Sequence, residues 1–122
     1  MGKKKQLENV AAERAVLSGI FHFGKTAKYD ISDILNTDSF TSTTNQIIYK
    51  CLERAIDDSE SVDLSCVLSA ANKLGLYECV TTDENMEHLR AVVNFPIKLE
   101  NVRNHAKVLF KLAAARKAQQ KH

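Results

Sequence analysis

Pro96 is the only proline in this 122-residue chain, and it separates two stretches whose apolar residues recur with helical spacing. Only four glycines accompany it, so the sequence contains few residues that would interrupt a helix. The first stretch ends near Asn94 and the second starts near Leu99. The sequence therefore predicts that the chain ends in a long helical hairpin, with its reversal between residues 94 and 98.

The second arm of this hairpin, from about Leu99 to Gln120, is apolar on two sides. At 100° per residue, one stripe faces the domain and consists of Leu99, Val102, Ala106, Leu109, Phe110 and Ala113. A second stripe, on the far side, consists of Val108, Leu112 and Ala115. A small monomer does not usually leave such a stripe exposed to water. We therefore expect Val108, Leu112 and Ala115 to form a self-association interface between two copies of the chain.

Helical spacing continues through the rest of the sequence, and no segment has the pattern of a strand. A first helix starts after Asn9 as its N-cap and buries Val10, Val16, Leu17, Ile20 and Phe21. A short second helix has as its apolar residues Tyr29, Ile31, Ile34 and Leu35. Helix caps are expected at Ser42 or Thr43, at Asp63 and within Thr81-Thr82-Asp83, and Gly75 is expected to end the fourth helix after an inward Leu74.

The predicted fold class is all-α, a small globular helical head followed by a long C-terminal helical hairpin. We assign residues 1–7 to a basic flexible N-terminus, 8–80 to the head and 81–120 to the hairpin, all within one domain, because the length is that of a single domain.

Charge is distributed unevenly along the chain. Residues 6–97 carry seven positive and fourteen negative side chains, whereas residues 98–122 carry seven positive and one negative. In the last helix, Arg103, Lys107 and Lys111 form one line at i, i+4 spacing. This line is either a solvated helix face or a basic patch for nucleic acid or an acidic partner.

Cysteine and histidine usage gives no sign of a metal site or a disulfide framework. The three cysteines are odd in number, form no CxxC pair, and lie in or beside apolar runs; they are Cys51, Cys66 and Cys79. The four histidines are scattered without metal-ligand spacing; they are His22, His88, His105 and His122. We expect buried, reduced thiols in a cytoplasmic protein, with no metal and no membrane-spanning segment.

Residues 19–26 match the phosphate-loop pattern GxxxxGK[ST], with Gly19, Gly24, Lys25 and Thr26 at the fixed positions. A phosphate loop needs small residues between a strand and a helix, so that backbone amides can surround the phosphates. Here the middle positions are bulky, and Gly19 lies inside a helical pattern. We interpret the match as chance. We expect no nucleotide cofactor, no catalytic residues and no change in melting temperature with ATP and magnesium.

Several short motifs occur in an order that resembles the N-terminal domain of DnaB-type replicative helicases. The run from Asn9 to Ile20 resembles the opening of that domain, and Val62-Asp63-Leu64 resembles its Ile-Asp-Leu helix entry. Asp38-Ser39-Phe40, Gln46-Ile47-Ile48-Tyr49, Leu74-Gly75-Leu76 and Phe95-Pro96 with the helix after it resemble further family motifs in the same order. The resemblance covers residues 8–116, with departures at 41–45 and 81–83 that are typical of a phage or divergent bacterial member.

This resemblance implies an all-helical, non-catalytic collar domain. In the family, the hairpins pair two subunits within a hexamer, the collar binds primase, and a separate ATPase domain unwinds DNA. Applied to this chain, it implies dimerisation through the hairpin, primase docking, weak or no DNA binding, and a parent polypeptide that is an ATP-dependent helicase.

Two alternatives remain at this point. The helicase-binding C-terminal domain of a primase has a similar head and hairpin, although the motifs at 10–20 and 62–64 favour the helicase. A small DNA-binding protein that uses the basic last helix is the other, and its binding to an oligonucleotide would fall steeply with salt.

Overall fold

A computed structural model of the chain describes residues 7–59 and 62–119, and all regular structure in that part is helical. The elements in chain order are α1 Val10–Phe23, α2 Lys25–Asp30, a 3₁₀ turn Thr37–Ser39, α3 Thr43–Asp58, α4 Leu64–Lys73, α5 Tyr77–Val80, α6 Asp83–Asn94 and α7 Leu99–Gln119. The predicted all-α class is confirmed. The predictions for residues 1–6, for Gln120 and for His122 lie outside the described residues.

The helix boundaries follow the capping residues in the sequence. The side chains of Asn9, Ser42, Asp63 and Thr82 each accept a hydrogen bond from the backbone N–H three residues later. Each of these bonds satisfies a donor that the first helical turn leaves free. Gly75 follows α4 with φ 74°, a left-handed conformation that glycine adopts without strain. The predicted N-caps and the predicted end of α4 are therefore confirmed.

The centre of the fold is α1, whose residues from Ala12 to Phe21 are buried apart from Arg14. It packs against α2, α3, α6 and α7, and α3 in turn packs against α4. A single apolar cluster joins all seven helices. One continuous core therefore connects the head to the two hairpin helices.

The two hairpin helices run in opposite directions along α1. The C-terminal end of α6 lies beside the second half of α1, because Ser18 donates a hydrogen bond to the Phe95 carbonyl. Val102 near the start of α7 contacts Gly19, and Arg116 near its end donates to the Leu7 carbonyl. The chain thus reverses around Pro96 as predicted. Helix α1 contacts both arms of the hairpin, α6 and α7.

Four sequence predictions of buried side chains in the head are wrong. Val10 is 50% exposed at the first turn of α1, and Leu74 is 38% exposed at the C-cap of α4. The short second helix starts at Lys25 and ends at Asp30, which turns Tyr29 outward, whereas Ile31 and Leu35 are buried from the loop that follows. Cys79 lies exposed on α5, a helical turn that the spacing did not predict, whereas Cys51 is buried.

Candidate protein-interaction surfaces

The last helix, α7, is held against the domain by one narrow edge. Among its 21 residues, the buried ones are Val102, Ala106 and Leu109. Leu99 and Phe110, which the spacing placed on the inward stripe, are 39% and 50% exposed. Both lie at the margin of the stripe, where side chains project beyond the edge of α1 and remain in contact with water. That part of the prediction is wrong.

The close approach of α7 to α1 depends on Gly19. A Cβ atom at this position would lie 2.5 Å from Cγ2 and 3.0 Å from Cγ1 of Val102. Real Cβ atoms do not come this close to a neighbour, so a larger residue would push α7 away from α1. The first glycine of the phosphate-loop pattern therefore has a packing role.

The other pattern residues are distributed over two helices. Gly24 links α1 to α2 with φ 57°, and Lys25 and Thr26 occupy the first turn of α2. The segment that precedes Gly19 is the buried first half of α1 rather than a strand. Two of the middle residues, Ile20 and Phe21, have their side chains in the core. Because both lie within α1, their backbone groups are used in helical hydrogen bonds.

Two arginines fix the position of α7. Arg103 makes a bidentate ion pair with Asp33, at 2.9 Å for each N···O pair, and also donates to the Asp30 carbonyl. The Arg103 hydrogen bond holds the pKa of Asp33 below its ordinary value, and the charge of Lys107 acts in the same direction. Arg116 donates to the carbonyls of Leu7 and Asp38. Of the predicted basic patch, Arg103 is therefore engaged within the chain, while Lys107 and Lys111 are exposed.

The predicted self-association stripe lies on one flank of α7. Val108 is 38% exposed, whereas Leu112 and Ala115 are half-buried. We name these three residues the Val108 face.

The opposite flank of α7 borders a groove that sequence reasoning did not predict. Two adjoining depressions, of about 410 and 350 Å³, lie between the C-terminal third of α7 and residues 32–41. They share Asp38, Ala113 and Lys117, and Phe110 lines the second. The groove is open because α7 has alanines at 113 and 114. We name the exposed strip beside it, consisting of Lys107, Phe110, Ala114 and Lys117, the Phe110 face.

A buried carboxylate anchors the N-terminal half of α1. Glu13 is 1% exposed; one oxygen accepts hydrogen bonds from the Thr41 N–H and hydroxyl, at 3.1 and 2.6 Å, and the other from the Asn45 amide at 2.8 Å. The Asn45 oxygen then accepts a 2.6 Å bond from His88 Nε2. This network joins α1, the turn before α3, α3 and α6, and its role is structural.

The sequence contains a signal for this network. Glu13 lies four residues before Leu17 on the apolar side of α1, and a charged residue on such a stripe needs buried partners. Burial lowers the pKa of His88, the positive charge of Arg14 acts in the same direction, and Glu13 opposes both.

Within the described residues no group of three or more His, Cys, Asp or Glu side chains is arranged to hold a metal ion. Burial raises the pKa of the Cys51 thiol to about 11, so this cysteine is protonated near neutral pH. In the same part of the chain, no helix is long and apolar enough to span a bilayer.

The fold and its surfaces define an all-helical domain with two candidate interaction surfaces, one on each flank of its last helix. The sequence profile of the DnaB-like helicase N-terminal domain matches residues 5–111, and the chain belongs to this family. Of the two similar domains considered from the sequence, this membership favours the helicase N-terminal domain over the primase C-terminal domain.

A solved structure has a similar fold. It is the crystal structure of the N-terminal domain of DnaB helicase from Mycobacterium tuberculosis, with a TM-score of 0.79 and 20% sequence identity over 95% of this chain and 81% of that one. A search of curated protein sequences finds no significant match.

Proposed function

We propose that this chain is the non-catalytic N-terminal collar domain of a replicative DNA helicase, and that two copies pair through the Val108 face of α7. The observation that carries the proposal is the family match over residues 5–111, together with a C-terminal helix that is buried along only one edge. In the parent polypeptide, such pairs would build a hexameric collar, and a separate ATPase domain would perform the unwinding. The domain would then act in the cytoplasm, during DNA replication, and would need no cofactor.

The Val108 face suits a two-fold contact. In such a dimer each residue of the face meets the equivalent surface of the other chain, so a single substitution changes the interface twice. Leu112 and Ala115 are half-buried already, and a second copy would cover the remainder of their surface together with Val108.

Light scattering with circular dichroism tests the pairing. We expect the wild type to be dimeric at tens of micromolar, and Leu112→Glu and Val108→Glu to be folded monomers, because each would place two like charges close together in the interface. Leu74→Glu is the matched control, since Leu74 is also 38% exposed but lies at the C-cap of α4. A monomeric wild type, or a Val108→Glu variant that remains dimeric, would show that the Val108 face is not the interface.

We also propose that the collar docks a primase, as the family resemblance implies. Co-sedimentation of the wild-type domain with the C-terminal domain of the primase from the same replication system tests this. We expect a complex that survives moderate salt. Failure to form one with dimeric wild-type protein would remove primase docking from the proposal and leave the pairing untouched.

A further inference from the structure

We propose that the Phe110 face and its groove form a docking surface for an acidic amphipathic helix of a partner protein. The inference deepens the proposed docking role and rests on it only in assuming that the domain receives a partner. It uses the flank of α7 opposite to the Val108 face, so the two surfaces can be tested separately.

The strip combines apolar and cationic side chains on one side of α7. Lys107, Phe110, Ala114 and Lys117 follow one another at i, i+3, i+7 and i+10, which places them on one side of the helix. The strip therefore has an apolar centre between two cations about 15 Å apart, at 1.5 Å rise per residue. A helix that carries carboxylates about three turns apart with apolar residues between them matches this spacing.

Phe110 does not belong to the core cluster. Its side chain is 50% exposed and lines a depression of about 350 Å³ together with Ala113 and Ala114, whose small side chains leave room beside the ring. An aromatic ring next to an open groove is typical of the buried anchor of a protein interface. Phosphate groups would engage the lysines but would leave this ring in water, so the apolar centre favours a protein over a nucleic acid.

The exposed charge around Phe110 is mainly positive. Arg103 and Asp33 neutralise each other through their ion pair, and Arg116 is held by two carbonyls of its own chain. The cations that remain exposed near Phe110 are Lys107, Lys111 and Lys117, opposed by the exposed carboxylate of Asp38 across the groove. A partner with carboxylates is therefore attracted, and one with additional lysines is repelled.

Among the described helices, the acidic helix α6 is the candidate that a second copy would offer. It exposes Asp83, Glu84 and Glu87, but its apolar residues Leu89 and Val92 are buried in its own core. It offers carboxylates without an apolar strip, so the proposal places the occupant in a partner protein.

The test uses a synthetic peptide of about four helical turns, with leucines at i, i+3, i+4 and i+7 and glutamates on both sides of them. Its binding to the intact domain is followed by fluorescence anisotropy, and its site is mapped by backbone amide chemical shifts. We expect saturable binding that weakens as salt rises, with shifts centred on residues 107–117 and 32–41. A peptide with lysines in place of the glutamates should bind at least about tenfold more weakly.

Two variants with matched controls locate the site. Phe110→Ala should weaken binding about tenfold, whereas Tyr77→Ala, which removes a 45% exposed aromatic ring from α5, should not. Lys117→Glu, which changes a cation of the Phe110 face, should weaken binding and reduce its salt dependence, whereas Lys50→Glu on the exposed side of α3 should do neither.

Three results would overturn the inference: equal binding of the lysine peptide, no effect of Phe110→Ala, or shifts centred on another surface. An oligonucleotide that binds the same face more tightly at moderate salt would also overturn it, in favour of a nucleic-acid surface. Because Phe110→Ala leaves the Val108 face intact, the variant should remain a dimer. Failure of the docking surface is thus distinguishable from failure of the pairing.

Discussion

Helices α1 and α7 lie against each other but differ in how much of their surface the domain covers. In α1, almost every residue from Ala12 to Phe21 is buried, and the buried Glu13 has hydrogen-bond partners for both oxygens. In α7, three of 21 residues are buried, and both flanks carry apolar side chains that reach the surface. The difference teaches that α1 forms the centre of the core, whereas α7 adds one edge to it and leaves its other sides exposed.

The largest effect is expected where α7 meets the core. Leu109 is 1% exposed, so Leu109→Glu would bury a charge without a partner and should destabilise the domain by about 3–5 kcal/mol, enough to unfold it. Circular dichroism and urea unfolding measure the change. Lys111→Glu, two residues away on the exposed side, should unfold like the wild type. A folded Leu109→Glu variant would mean that α7 contributes less to the core than its burial indicates.

A somewhat smaller effect is expected from the buried carboxylate of α1. Glu13→Ala would leave the Thr41 N–H and the Asn45 amide without an acceptor, and each unsatisfied group costs about 1–3 kcal/mol. The free energy of unfolding from urea titration measures the loss. Glu8→Ala serves as the control, because Glu8 is exposed just before the same helix. Equal stabilities of the two variants would contradict the assigned role of Glu13.

The contact between the two helices is tested by exchanging side-chain sizes. Gly19→Ala should destabilise the domain by about 1–3 kcal/mol, because the added methyl group overlaps Val102. Val102→Ala alone should also destabilise it, by leaving a cavity. The double variant should be more stable than the sum of the two losses predicts, since the new methyl group fills part of that cavity. Additive losses would show that residues 19 and 102 do not contact each other in the single variants, because α7 has moved away from α1.

The smallest effect is expected from pH. The pKa of His88 is lower in the folded domain than in the unfolded chain, so the unfolded chain binds more protons between the two values. The stability associated with neutral His88 is complete above about 6.5, its ordinary pKa, and is lost as pH falls through the lowered value. His88→Gln should flatten this part of the stability profile. An unchanged profile in His88→Gln would assign the pH dependence to another group.

Local features of the sequence were sufficient for the helices and their ends. Asn9, Ser42, Asp63 and Thr82 cap helices as predicted, because a cap depends on a side chain and a backbone N–H three residues apart. The reversal around Pro96 followed from the same kind of information. The short helix α5 was missed, since four residues are too few for a periodic pattern.

The candidate surfaces were predicted only in part. The Val108 face remains a prediction; Val108 is exposed, whereas Leu112 and Ala115 are half-buried. Phe110 was assigned to the core, because a helical wheel gives the direction of a side chain but not the width of the neighbour that covers it. The Phe110 face was therefore missed.

The sequence by itself determined that this protein is all-helical, where most of its helices start and end, and which family it resembles, because these properties depend on neighbouring residues and on motifs in order. Only the tertiary structure decided that Gly19 admits Val102, that Arg103 is neutralised by Asp33, and that Glu13 is satisfied by Thr41 and Asn45. Each of these contacts joins residues 28 to 83 positions apart in the sequence. Such contacts depend on how helices pack, and local periodicity carries no information about a partner so distant in the chain.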